Sequence, residues 1–245
     1  MAGEGATVGG DYESIGFAEA RSALAWWLEA GVDADVQEEP RNWLKPAPPP
    51  SAKPAETAPV SNVSKPSAET LAELRDWLAS SAQLPLAQAA TKRILPHGPE
   101  NAAVMLLSDA PRVEEAASGQ PIGGDAWALT SRMLAAIGIA PDQAYSASLS
   151  CFIAPGAKMS AEERETCSEI ARQHIRLAKP QRLLLFGEAV CQALLGKALP
   201  QARGHAYKVE GVRTVATFHP RSLIKDPANK SYAWKDLLLL MEDES

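Results

Sequence analysis

Cysteine is scarce in this chain of 245 residues. Cys151, Cys167 and Cys191 form an odd set with no Cys-x-x-Cys spacing. That argues against a disulfide framework and a standard zinc site, and it suits a reducing cytosol. Long apolar runs are absent too, and none approaches the length of a membrane span. The start, Met1-Ala-Gly-Glu-Gly5, has no basic residue and no apolar core behind it, so no signal peptide is expected. These absences point to a cytoplasmic protein without a membrane partner, expected as a monomer. What remains is a globular composition, 46% hydrophobic and 22% charged.

The net charge of −6 hides an asymmetry. Residues 1–67 hold 5 Lys/Arg and 10 Asp/Glu, whereas residues 172–240 hold 12 Lys/Arg and 4 Asp/Glu. An acidic front is joined to a basic rear. A basic stretch of this kind fits either a polyanion or a solvated face.

Three segments follow from composition and period. Residues 1–45 read as a helical N-terminal arm, in which Ala20, Leu24 and Leu28 recur every four positions beside Trp26 and Trp27. The tryptophans pack back on the parent domain or serve a protein partner. Residues 46–68 are a linker, with Pro46, Pro48, Pro49, Pro50, Pro54, Pro59 and Pro66 among Ala, Ser and Lys. From residue 69 to 245 the pattern alternates. Helices are expected over 69–82, 125–137, 160–177, 188–195 and 230–241, with Ser160 and Glu163 as a capping box. Strands are expected over 103–107, 144–152, 182–186 and 212–218. Strands alternating with helices predict an α/β fold with a mostly parallel sheet covered on both faces. Ligands then bind beyond the carboxyl ends of the strands. Asp109 and His219 both fall on that rim.

The richest stretch is residues 214–225, TVATFHPRSLIK. A β-branched run ends at His219-Pro220, and Pro220 prevents the strand from continuing. Arg221 and Lys225 offer cations for phosphates, and Leu223 an apolar wedge for a base stack. The plain alternative is a strand end with a solvated turn.

The residues Val104-Met-Leu-Leu-Ser-Asp-Ala-Pro-Arg112, Glu114-Glu115, Gly119-Gln-Pro-Ile-Gly-Gly124, Gly187 and Phe218-His-Pro-Arg-Ser-Leu223 resemble the uracil-DNA glycosylase superfamily. The resemblance is to its family-four type in particular, and it spans about residues 69–240. Arg203-Gly204 and Trp234-Lys-Asp-Leu-Leu238 also follow that pattern. The resemblance implies a three-layer α/β/α fold around a four-stranded, mostly parallel sheet. It implies DNA as partner and hydrolysis of the bond between an altered base and deoxyribose in base-excision repair.

The motifs depart from the family where the base should sit. Gly-Glu-Ala-Pro-Gly becomes Ser108-Asp109-Ala110-Pro111-Arg112. The stacking Phe becomes Ile122, and the Asn that reads the uracil edge becomes Ser148. The family's iron–sulfur cluster needs four thiolates. Residues 81–86 supply none, and only Cys167 and, loosely, Cys151 stand near ligand positions, so no cluster is expected. By this resemblance His219 and Asp109 carry catalysis. Ala110, Pro111, Ile122 and Ser148 line the base, and Arg203, Gly204, Arg221, Leu223 and Lys225 meet DNA. Glu114 and Glu115 are weaker acidic candidates. Two readings follow, an active glycosylase or a catalytically weakened DNA-binding lesion sensor or adaptor. A cysteine hydrolase is disfavoured, because neither Cys151 nor Cys191 has a recognised histidine partner.

Overall fold

Four parallel strands form the centre of the molecule. In this computed structural model the sheet order is β3-β2-β5-β7-β6. The strands are β2 (Val104–Ser108), β3 (Ala144–Ser148), β5 (Arg182–Phe186), β6 (Ala206–Val209) and β7 (Val212–Thr217). The first three and β7 run parallel, as the alternation predicts. The edge strand β6 pairs antiparallel with β7 through a turn at Glu210-Gly211 and was not expected. A separate short pair joins β1 (Lys92–Arg93) to β4 (Phe152–Ile153). The expected strand over 144–152 is therefore two, divided after Ser148 where the chain bends across the rim. The structure describes residues 67–87, 92–113, 117–153 and 159–242, together with Ser22. The Trp26-Trp27 pair, the linker up to residue 66, Glu114 and Glu115 lie outside the described residues.

Helices cover both faces. On one face lie α1 (Leu71–Ser80), α3 (Ala161–Ala178), α4 (Glu188–Leu195) and α5 (Leu199–Ala202). They bury Leu71, Ile175, Val190 and Leu194 against Met105, Leu107, Leu183 and Leu185. On the other face lie α2 (Gly124–Ala136) and α7 (Lys230–Met241), which bury Ala126, Leu134, Leu237 and Leu240 against Val104, Leu106, Leu184 and Val215. Alternate residues of one strand thus feed opposite layers, which is why these strands read as unbroken apolar runs. The short α6 (Pro220–Lys225) follows β7 and packs on α2. Among the described residues no helix is long and apolar enough to cross a membrane.

Local chemistry sets the ends of these elements. Ser160 Oγ accepts the Glu163 amide at 3.1 Å, and Glu163 Oε2 accepts the Ser160 amide at 2.7 Å, the capping box expected from sequence. Gly98 has φ +132°, and a Cβ there would lie 2.5 Å from the Ala144 carbonyl oxygen, so the chain can cross the β3 edge only as glycine. Gly187, φ +93°, turns β5 directly into α4, and its amide donates to Thr217 O at 3.0 Å. That bond ties the carboxyl ends of β5 and β7 together beside His219.

Candidate active site

Because the four central strands are parallel, their carboxyl ends share one edge. β2 delivers Ser108 and Asp109, β3 delivers Ser148, β5 ends at Phe186, and β7 leads through Phe218 into His219. Asp109 and His219, distant in sequence, meet here as expected. His219 Nε2 lies 3.9 Å from Asp109 Oδ1.

His219 is 5% exposed and caps α6. Its Nδ1 accepts the backbone N–H of Arg221 at 3.1 Å. A nitrogen that accepts carries no proton, so the neutral ring holds its proton on Nε2. Nε2 is buried and has no hydrogen-bond partner among the described residues. Burial pushes the His219 pKa down to about 3, with the Arg221 and Arg112 guanidiniums adding repulsion. At neutral pH the ring is therefore uncharged, and its contact with Asp109 is no ion pair. It is an N–H donor in a dry setting, held by the α6 cap and flanked by the Phe186 ring at 5.8 Å.

Arg221 requires a correction. Expected at a phosphate, it turns inward, and its Nη2 donates to Asp109 Oδ1 at 2.5 Å. The cation of the His219 loop thus holds the carboxylate expected to face the sugar. Leu223 is corrected as well. At 1% exposed it lies on the buried face of α6 and is no surface wedge, while its neighbour Ile224 is 43% exposed. Lys225 is exposed at the end of α6, as a phosphate contact requires.

Arg203 is likewise not a free cation. Its Nε donates to Asp236 Oδ2 at 2.8 Å, and its guanidinium lies 4.3 Å from the Phe218 ring centre and 5.4 Å from that of Tyr232. Asp236, 1% exposed, also accepts the Thr217 hydroxyl at 2.8 Å. This pair fixes α7 to the end of β7, so Arg203 supports the His219 corner. Gly204 is an exposed turn residue with φ +73°.

The positions assigned to the base are mixed. Ala110 is partly exposed and Pro111 buried. Ile122 is fully buried in the layer with Val104, Leu106 and Ala126, so it does not present an open face for stacking. Ser148 stands on the rim, and its Oγ is buried without a hydrogen-bond partner among the described residues. Ser148 Oγ and His219 Nε2 are both polar atoms in need of a partner, and burial makes that need costly.

The cysteine corner is built differently. Leu84 packs with Leu74, Leu78, Cys151, Phe152 and Ile170. Residues 81–86 thus do approach Cys151, but they bring leucine and proline rather than thiols. A cavity of about 20 Å³ remains there, lined by Leu84, Pro85, Cys151, Cys167 and His174 among others. That is room for about one water. Burial pushes the Cys151 thiol up to about 11 and Cys167 up to about 12. Cys191, buried in α4, also rises to about 12. Such thiols are poor nucleophiles. The whole chain has three cysteines, one fewer than a four-thiolate cluster takes, so these residues do not fit the group. Sequence reading missed a buried network beside this corner. Tyr145 Oη meets His174 Nε2 at 2.7 Å, and Arg75 Nε donates to Tyr145 Oη at 3.2 Å. Burial holds His174 at about 3.

Comparison with known proteins agrees with this geometry. The model of the Uracil DNA glycosylase superfamily matches residues 95–238. A type-4 uracil-DNA glycosylase of Archaeoglobus fulgidus is 25% identical over 141 residues, covering 53% of this chain and 71% of that protein. The matched span runs from the loop before β2 to the last turn but one of α7, so it includes the rim that carries Asp109, Ser148 and His219.

Proposed function

Because the chain belongs to the uracil DNA glycosylase superfamily, we propose that it binds DNA and hydrolyses the N-glycosidic bond of uracil or another altered base, as a DNA-repair enzyme of the cytoplasm. The observation that carries the reading is His219, a neutral imidazole whose Nε2–H is buried, has no partner among the described residues and lies 3.9 Å from Asp109 Oδ1.

In this reading an extruded base enters beside Ala110, Pro111 and Ser148, because the reacting bond is unreachable inside a duplex. The C1′–N bond breaks, and its electron pair leaves with the base. His219 Nε2–H donates to the base oxygen on which negative charge grows, an oxyanion-type role in a dry site. Asp109 faces the sugar as positive charge develops there. Water adds to C1′ and loses a proton to solvent, and the base anion takes one up. Lys225 meets a phosphate, and exposed Ile224, in place of buried Leu223, fills the gap in the stack. In this reading no iron–sulfur cluster takes part, because three cysteines are one fewer than its four thiolates.

The Arg221 contact on Asp109, the short Ser148 and the buried Ile122 favour a second reading, a DNA-binding member with low turnover. One assay separates them. The purified full chain is incubated with single- and double-stranded oligonucleotides carrying uracil, hypoxanthine or xanthine, and abasic sites are revealed by alkali. Strand breaks that depend on His219 support the enzyme. Tight binding without breaks on any substrate supports the second reading.

A further inference from the structure

A second cavity opens at the outer edge of the sheet. It measures about 490 Å³, and its wall includes Arg75, Gln120, Trp127, Asp142 and Ser146. That volume falls within the roughly 300–1,000 Å³ of small-molecule sites. Asp109, Ser148 and His219 are not part of this wall. The cavity exists because β3 is an edge strand and the chain before β2 crosses its free side. There His97 and Ser146 exchange both backbone hydrogen bonds, at 2.9 and 2.7 Å. The Ser146 backbone is thus satisfied. Its Oγ, on a residue only 4% exposed, has no hydrogen-bond partner among the described residues. Pro96, Pro99 and Pro141 stiffen the surrounding wall. Arg75 is fixed as well, since its Nη2 donates to Gly98 O at 2.7 Å and its Nε to Tyr145 Oη at 3.2 Å.

We propose that this cavity is a second nucleobase site, separate from the His219 rim, which takes an unpaired base by stacking on Trp127. This rests on the DNA-binding reading above. Trp127 is half-buried, with α2 holding its ring against the core. Every base has a π-face and stacks on such a ring whatever its identity. Polar groups of both kinds share the wall with that ring. Asp142 only accepts, the Arg75 guanidinium only donates, and the Gln120 amide and Ser146 hydroxyl do both. The edge of a base carries the same mixture of donors and acceptors. A bare phosphate gains little here, since the Asp142 carboxylate offsets the Arg75 cation. A hydrocarbon leaves the Ser146 hydroxyl and the Gln120 amide without partners. Position agrees with the chemistry. Ser146 stands two residues before Ser148 on the same side of β3, about 7 Å back from the rim. That is the rise of about two stacked nucleotides. A neighbour of the extruded base on the same strand therefore comes within reach, and a free nucleotide offers the same chemistry.

The test uses the full chain and reads Trp127 directly. Its indole N–H signal, assigned by comparison with Trp127→Phe, is followed by NMR as three probes are added to saturation. These are an undamaged single strand of mixed sequence, a strand of equal length made of abasic sites, and an equimolar mixture of the four deoxynucleoside monophosphates. Expected is a shift with the base-bearing strand and none with the abasic strand. A shift that requires the strand assigns the site to a neighbour of the damaged base; an equal shift with the monophosphates assigns it to free nucleotides. His219→Ala should keep the response, because the rim does not produce it. Affinity for the base-bearing strand should fall roughly tenfold in Trp127→Leu, the scale of one base stacked on an aromatic side chain. It should be kept in Trp127→Phe and fall by less in Ser146→Ala. An equal shift with the abasic strand, no shift with any probe, or loss of the response in His219→Ala overturns the proposal. Should the Leu variant not fold, the wild-type contrast between base-bearing and abasic strands still decides. Should neither strand bind while the monophosphates shift Trp127, the DNA-binding reading fails and the base site stands. Should the strands bind with Trp127 silent, the reading stands and the site falls.

Discussion

Two corners of one sheet edge have been built by opposite rules. At the His219 corner polar groups are buried and left short of partners. His219 Nε2 and Ser148 Oγ have none among the described residues, and Asp109, 3.9 Å from Nε2, is bonded instead to the Arg221 guanidinium. At the Cys151 corner the chain does the reverse, and Leu74, Leu78, Leu84, Phe152 and Ile170 close over the inert Cys151 thiol. Burial disfavours unpaired polar atoms and favours apolar ones. The first corner therefore carries a free-energy cost that a ligand relieves, and the second is already satisfied. In the function proposed above, the contrast separates chemistry from scaffold within one rim.

Substitutions break or sharpen that contrast in a graded way. His219→Ala has the largest expected effect, a loss of roughly 10²–10³-fold in single-turnover cleavage, from removing the donor to the developing anion. The melting temperature should change far less than the rate. Leu84→Ala belongs to the other corner and should do the opposite, destabilising by about 2–5 kcal/mol through the cavity it opens. Denaturant unfolding reads that loss, and cleavage by the remaining folded protein should be unchanged.

Arg203→Ala tests a support of the first corner. It leaves Asp236 buried without its cation, for an expected loss of about 3–5 kcal/mol. Thermal unfolding should register it strongly, whereas a phosphate contact would show mainly as a weaker DNA affinity. Acid then probes the histidines. His174 and His219 are held near 3 in the folded protein against an ordinary 6.5. Between those values the unfolded chain binds protons that the folded chain refuses. Their contribution is intact above about pH 6.5 and is lost progressively as pH falls toward 3. Melting curves across that window should show the loss, and His219→Ala should make it shallower. The smallest effect is expected from salt at Lys225. Lys225→Ala should lower the salt slope of DNA binding by about one phosphate.

Much of this was legible in sequence because it is local. Four apolar runs became the four parallel strands, Ser160 and Glu163 formed their capping box, and the strand ends placed Asp109 and His219 on one rim. What escaped depends on distant partners. Nothing near Arg221 announces a carboxylate 112 positions earlier. Without that partner a cation after His-Pro reads as a phosphate contact. Arg203 was misassigned for the same reason, since Asp236 lies on a different element. Leu223 and Ile224 are adjacent apolar residues, and only the orientation of α6 decides which is buried. Strand β6, with Ala206 and Lys208 exposed, lacks the apolar run that marked the others.

The proposed chemistry turns on the state of one ring. Nitrogen-15 NMR of the histidine side chains, with His219 assigned by comparison with His219→Ala, reads protonation and tautomer together. The expected result is a neutral imidazole protonated at Nε2 and bare at Nδ1, unchanged from pH 8 to pH 5. An imidazolium in that range, or a proton on Nδ1, would contradict the account, because the donor aimed at the departing base would then be either charged or absent.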